Sequence, residues 1–202
     1  MLLTHAYASC EEDLGEVELQ EGPVPLVDNA VLIALAEHAG SLRKLAFRCN
    51  QKCSSASVKG LLYACGPRLL ELTLSGVQAM VSSSAAAVTR VPSSSSSDLI
   101  PSSRRMSGGE KMLSEIPYKR LSELSVLRLR QAPLTDAMLL AINAALHGHL
   151  KELDLSFCIQ ITDSSLHHVL QKQERLEVLG LDGCDQLVDR YVFVCLCANV
   201  LL

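Results

Sequence analysis

Four thiols of the chain stand in close pairs, Cys49-Asn-Gln-Lys-Cys53 and Cys195-Leu-Cys197. Two such pairs separated by a defined gap are the usual ligand set of structural zinc, because four thiolates close a tetrahedron. His147 and His149, and then His167 and His168, offer imidazoles for metal ligation or proton transfer. Asp28, Asp136, Asp163 and Asp189 would complete a catalytic inventory. These groups lack the company their chemistry requires. Neither histidine pair has a Cys or Ser placed beside it as a nucleophile. The chain also has no G-x-x-x-x-G-K-S/T loop, no G-x-G-x-x-G after a strand and no H-E-x-x-H. No catalytic residue, metal ligand or cofactor is therefore assigned, and the expectation is a non-enzyme.

The same residues fall into order once the chain is laid out with a period of about 26 residues. The phrase is clearest as Leu150-Lys-Glu-Leu153-Asp-Leu155-Ser-Phe-Cys158, followed by Ile161-Thr-Asp163 and Leu166. It returns as Leu176-Glu-Val-Leu179-Gly-Leu181-Asp-Gly-Cys184, then Leu187-Val-Asp189 and Val192. Earlier copies run Leu124-Ser-Val-Leu127-Arg-Leu129 with Leu134-Thr-Asp136 and Leu139, and Leu42-Arg-Lys-Leu45-Ala-Phe47 with Ser55 and Val58. Leu14-Gly-Glu-Val17-Glu-Leu19 leads to Leu26-Val-Asp28 and Val31, while Leu69-Leu-Glu-Leu72-Thr-Leu74 keeps only the strand half. A period of this length predicts a solenoid, whose units bury their apolar faces against their neighbours.

Each phrase predicts strand, turn and helix. The last two leucines of L-x-x-L-x-L stand two apart, so both point to one face of a strand. Cys158 and Cys184 mark where the chain turns inward, and Cys49 is expected to be the same turn cysteine shifted by one. Asp28, Ser55, Asp136, Asp163 and Asp189 each precede an apolar residue by three, the place of an N-cap. Leu166, Val169 and Leu170 then follow at helical spacing. The pairs 49/53 and 195/197 lie several repeats apart along a rod, too far to share a metal. His147 and His149 flank a helix end around Gly148, and His167 and His168 are expected on an outward helix face.

A strand–helix unit with Cys after the strand and Ile-Thr-Asp before the helix resembles the cysteine-containing leucine-rich repeat of the ribonuclease-inhibitor-like superfamily. That repeat occurs in F-box/leucine-rich-repeat proteins and in proteins similar to the antagonist of the mitotic exit network. The resemblance covers about 14–78 and 121–202, most completely from Leu150 to Asp189; Val77 and Ala132 replace the Cys upstream. It implies an α/β horseshoe of about six repeats, with parallel strands on the concave face and helices on the convex face. It also implies substrate recognition or an adaptor role in SCF-type ubiquitin ligation, or in cell-cycle signalling, with a ubiquitin-ligase component as partner. No F-box is visible, since only residues 1–13 precede the first repeat, so such a role would draw its F-box from elsewhere.

Residues 79–120 interrupt the pattern between the repeat blocks 14–78 and 121–202. Serines 82–84, 93–97, 102, 103 and 107 crowd this stretch with Pro92, Pro101, Gly108 and Gly109. Such a composition cannot offset its ordering entropy by burial, so disorder is expected near 90–107. Ser107-Gly-Gly-Glu110 has capping-box spacing, which predicts a helix restarting there and ending near Pro117. Arg104-Arg105-Met106-Ser107 has the form of a basophilic kinase site, making Ser107 a candidate phosphosite. The stretch is either a loop inserted in one repeat or a decayed repeat.

Composition agrees with thin stacked layers. Of 202 residues 49% are hydrophobic but only 3% aromatic, with no Trp, so leucine carries the core. A net charge of −4 points to neither nucleic acid nor an acidic membrane as partner. No apolar run is long enough to span a bilayer, and no secretory signal or N-x-S/T site is present. Of the eight cysteines, Cys158 and Cys184 recur at one repeat offset and Cys65 falls at an expected helix end. Free cysteines so placed fit a reducing compartment, so a cytoplasmic or nuclear location is expected.

Residues alternating with the buried leucines face outward from the strands. They form the rows Glu16, Glu18, Gln20; Lys44, Ala46, Arg48; Glu71, Thr73, Ser75; Val126, Arg128, Arg130; Glu152, Asp154, Ser156; and Val178, Gly180, Asp182. A protein partner is expected on this concave face, through Lys44, Arg48, Glu71, Thr73, Arg128, Arg130, Glu152, Asp154 and Asp182. Strands about 4.8 Å apart also let Arg128 and Arg130 pair with Glu152 and Asp154. Two rival readings are an incomplete or degenerate repeat fragment without independent activity and a Cys/His metalloprotein or enzyme. The first rests on Leu201 and Leu202, which fall where another phrase would begin, behind an apolar helix expected over Tyr191–Leu202.

Overall fold

A computed structural model describes residues 16–19, 27–77, 106–146 and 148–188. Strand and helix alternate throughout. The elements are β1 (Glu16–Leu19), α1 (Asn29–His38), β2 (Lys44–Arg48), α2 (Ser55–Cys65), β3 (Glu71–Ser75), α3 (Gly108–Glu115), β4 (Val126–Leu129), α4 (Asp136–Ala145), β5 (Glu152–Asp154), α5 (Asp163–Lys172) and β6 (Val178–Gly180). The six strands form one open parallel sheet in the order β1-β2-β3-β4-β5-β6, so every crossover returns the chain to the adjacent position.

Register follows from the leucines. Val17, Leu45, Leu72, Leu127, Leu153 and Leu179 stand side by side across the six strands. All are buried, as are Phe47, Leu74, Leu129 and Leu155 two residues on. Fully burying one such side chain is worth about 1.5–3 kcal/mol, and a one-residue slip would turn the whole row to solvent. The leucine row therefore sets the register. Leu32, Val58, Leu61, Leu62, Met112, Leu113, Leu139, Ile142, Leu166 and Val169 bring the helices onto the same core.

β3 hydrogen-bonds directly to β4, with Glu71 opposite Val126. The chain between them re-enters at Ser107, whose hydroxyl accepts from the Glu110 amide at 3.1 Å while Glu110 Oε2 accepts from the Ser107 amide at 2.6 Å. That reciprocal pair is the expected capping box, and α3 ends at Glu115, just before Pro117. Ser107, placed by sequence at the end of the expected disordered run, is thus the N-cap of a helix. The lead-in 1–13, most of the Ser-rich stretch, and the expected Tyr191–Leu202 helix lie outside the described residues.

The caps depart from expectation in an informative way. Asp28 does cap α1, accepting from the Val31 amide at 3.0 Å. Asp136 and Asp163 do not cap: each is the first residue of its helix, behind Thr135 and Thr162. For α2 the cap is Ser54, not Ser55, and it accepts from the Ser57 amide. Free of the capping role, the first helical residue reaches into the following unit. Asn29 Oδ1 accepts from the Ser54 amide at 2.7 Å, Asp136 Oδ1 from the Thr162 amide at 2.7 Å, and Asp163 Oδ1 from the Val188 amide at 3.1 Å. These bonds fasten one unit to the next. Asp189 lies outside the described residues.

Candidate functional site

The turn after each strand decides what the cysteines do. Cys158 donates its thiol to the Leu129 carbonyl at 3.1 Å, and Cys184 donates to the Leu155 carbonyl at 3.2 Å. Each thus caps the end of the preceding strand. Burial pushes the Cys158 thiol up to about 12 and raises that of Cys184 as well. A thiol so disfavoured as thiolate is a poor nucleophile and a poor ligand.

Cys49 stands in the turn of its repeat, one residue ahead of the place Cys158 holds, but its thiol does not take the role of the Cys158 thiol. The Cys49 amide donates to the Ser75 carbonyl, as those of Gln131 and Phe157 do to Ser156 and Asp182. The side chain that reaches back one unit is that of Asn50, whose Nδ2 donates to the Val27 carbonyl at 2.9 Å; the Cys53 thiol meets the same oxygen at 3.6 Å. Burial raises the thiols of both Cys49 and Cys53. Among the described residues no group of three or more His, Cys, Asp or Glu side chains is placed to hold a metal ion, and Cys195 and Cys197 fall outside them. His167 and His168 are exposed on α5, with His167 against the Gln171 amide group.

Strand alternation puts the other candidates on the outward face of the sheet. Lys44 stands in register between Glu16 and Glu71, and its Nζ lies 3.6 Å and 3.4 Å from their carboxylates. Glu71 raises the Lys44 pKa most, with Glu16 adding to it. Arg128 reaches diagonally: Nη1 lies 4.0 Å from Glu71, while Nε and Nη2 hold both Glu152 oxygens at 2.5 Å and 2.9 Å. The bond to Glu152 is the main cause of its raised pKa. Charge thus alternates Glu16–Lys44–Glu71–Arg128–Glu152 across five adjacent strands. Arg130 pairs separately with Asp154 at 3.2 Å, so the expected pairing of both arginines is present.

The remaining candidates stand around this row. Thr73 sits half-buried beside Arg128 in register. Arg48 is exposed at the end of β2, and its side chain crosses Gly76, where an added Cβ would lie 2.9 Å from Arg48 Cγ. Asp182 is exposed in the turn after β6, at the far side of the sheet. Asp154 also shapes its own turn, since its Oδ1 accepts from the Ser156 amide at 2.9 Å and hydroxyl at 2.6 Å. The Asp-x-Ser spacing of an Asx turn signals that role in the sequence.

Phe157 has no place among the sequence candidates. It adopts φ 63°, and its ring lies half-exposed over Gly183. The signal was available in the period: aligned with Gly183 and Gln131, Phe157 falls on the left-handed turn position.

No family model matches the chain, and no curated protein matches it. Among solved structures it is similar to a chain in the crystal structure of the Rad7 and Elc1 complex in yeast, at 21% identity and a TM-score of 0.47. The match covers 77% of this chain and 36% of that one, so the present chain spans about a third of its length.

Proposed function

We propose that the chain is a non-catalytic protein-interaction module: a horseshoe of about six cysteine-containing leucine-rich repeats whose concave strand face receives a protein partner. The observation that carries this reading is the continuous row of half-exposed charges from Lys44 to Glu152 above the leucine stack. Curved solenoid sheets make extended binding surfaces. Exposed ion pairs are worth about 0–1 kcal/mol each, so a partner can take over these charges at little cost. The resemblance adds the finer role of substrate recognition or an adaptor function in SCF-type ubiquitin ligation or cell-cycle signalling, in cytoplasm or nucleus. Direct pairing of β3 with β4 supports reading the Ser-rich stretch as an insertion within one repeat and not as a decayed repeat.

A charge swap tests the face. Combining Glu16→Lys, Lys44→Glu and Glu71→Lys with Arg128→Glu and Glu152→Arg keeps opposite charges adjacent along the row while inverting the field a partner meets. Partner capture from native extracts is expected to disappear with the unfolding transition unchanged. An unaltered set of partners overturns the assignment. Ser107 is the proposed regulatory phosphosite of the module. Detecting only unmodified Ser107 in protein isolated from active cells would remove it.

A further inference from the structure

The turn after each strand repeats one backbone conformation. Gly76, Gln131, Phe157 and Gly183 each lie two residues past the second strand leucine or its equivalent, with φ of 64°, 54°, 63° and 65°. Glycine meets this geometry without a steric penalty, whereas a bulky residue there is a true outlier. Folding alone thus favours glycine at 157, as at 76 and 183, yet the chain carries phenylalanine.

The ring is not spent on the core. Phe157 is 48% exposed, and Ile159, two residues on, is 56% exposed. The ring rests on the backbone of Gly183, where a Cβ would approach Cδ1 to 2.5 Å. About half of the residue therefore stays open to solvent at the rim of the sheet, on the turn that strains its backbone. Aromatic residues left on a surface are enriched at protein interfaces.

Charge around the ring defines what it fits. Asp182, whose carbonyl accepts from the Phe157 amide at 2.6 Å, and Asp185 are both exposed on the turn beneath the ring. The arginine on the neighbouring strand, Arg130, faces Asp154. Arg48 stands three strands away from the ring, at the end of β2, so the rim runs from basic at β2 and β4 to acidic after β6. A cation set over an aromatic face is attracted by the ring quadrupole, and two carboxylates alongside add to that attraction.

We infer that Phe157, with Ile159, Asp182 and Asp185, docks a segment of a partner protein bearing a lysine or arginine beside an apolar side chain. This rests on the interaction-module reading and adds to it an anchor and the chemistry of its occupant.

The test uses the full chain. Phe157→Gly should unfold at the same or a higher temperature than the wild type while losing partner capture by at least tenfold. A clear fall in unfolding temperature overturns the inference, since the ring would then serve folding. In a second arm, p-benzoylphenylalanine at position 157 is photo-activated in native cells and the joined peptides are sequenced. Cross-links to a segment of another protein with Lys or Arg next to the joined residue, lost in Asp182→Lys/Asp185→Lys, are expected. Cross-links only within the chain, only to a second copy, or to an acidic segment overturn it. The strand-face charge swap separates the two ideas: capture lost there but kept in Phe157→Gly removes the anchor alone.

Discussion

Asp136 is bound to Thr162 of the following unit rather than to its own helix. One carboxylate oxygen accepts from the Thr162 amide at 2.7 Å, the other from its hydroxyl at 2.7 Å, and Ser165 donates a third bond at 2.6 Å. The residue that looks like a cap is the fastener between two units. Hydrogen bonds to a charged group contribute about 1.5–3 kcal/mol, and an orphaned amide adds its own penalty. Asp136→Ala should therefore lower unfolding stability by about 2–3 kcal/mol in urea. A double-mutant cycle with Thr162→Val should show strong coupling; additive losses would mean the contact contributes nothing.

Acid should weaken the same joint. Burial disfavours the charged Asp136, but the bonds from Ser165 and Thr162 outweigh it and hold the carboxyl below the usual range. A depressed folded value stabilises the protein above the unfolded value, about 3.9, and that stability is lost as pH falls through the folded value. Stability measured between about pH 5 and pH 2 should fall less steeply in Asp136→Asn than in the wild type. Parallel curves would contradict the assignment.

Two glycines should respond in opposite directions. A Cβ at Gly109 would lie 2.5 Å from the Val77 carbonyl oxygen and 2.9 Å from Pro133 Cγ, so α3 has no room for it. Gly109→Ala is expected to destabilise by about 1–3 kcal/mol through overpacking. Gly60, inside α2, has nothing within 4 Å of its added Cβ. Gly60→Ala should stabilise by about 0.5–1 kcal/mol. Thermal unfolding of the two variants decides both.

The buried thiols should be silent in the folded protein. Cys65 is pushed up to about 11 and Cys158 to about 12 by burial. Site-resolved iodoacetamide labelling should modify them only on unfolding. Rapid labelling of native Cys158 would contradict its thiol's bond to the Leu129 carbonyl.

Loss of the Ser107 hydroxyl should loosen the entry to α3. The helix begins with two glycines, which favour the unfolded chain, so its start depends on the capping box. Ser107→Ala should cost about 0.5–2 kcal/mol and raise hydrogen exchange first at Glu110 and Lys111.

The period alone determined the α/β order, the inward leucines and the outward charge rows, because a two-residue strand alternation and a recurrent turn leave little freedom. The turn position of Cys158 and Cys184 was legible for the same reason. What it left undecided was where polar side chains point between units. Asp28 and Asp136 look equivalent in sequence, yet one closes its own helix and the other grips Thr162, since the difference is a one-residue shift in where the helix begins. The diagonal reach of Arg128 to Glu71 and Glu152 depends on strand neighbours far apart in the chain. Phe157 reads as one more apolar residue until the backbone shows φ 63° and a ring over Gly183. Those relationships belong to the stacking of units, and only the tertiary structure decides them.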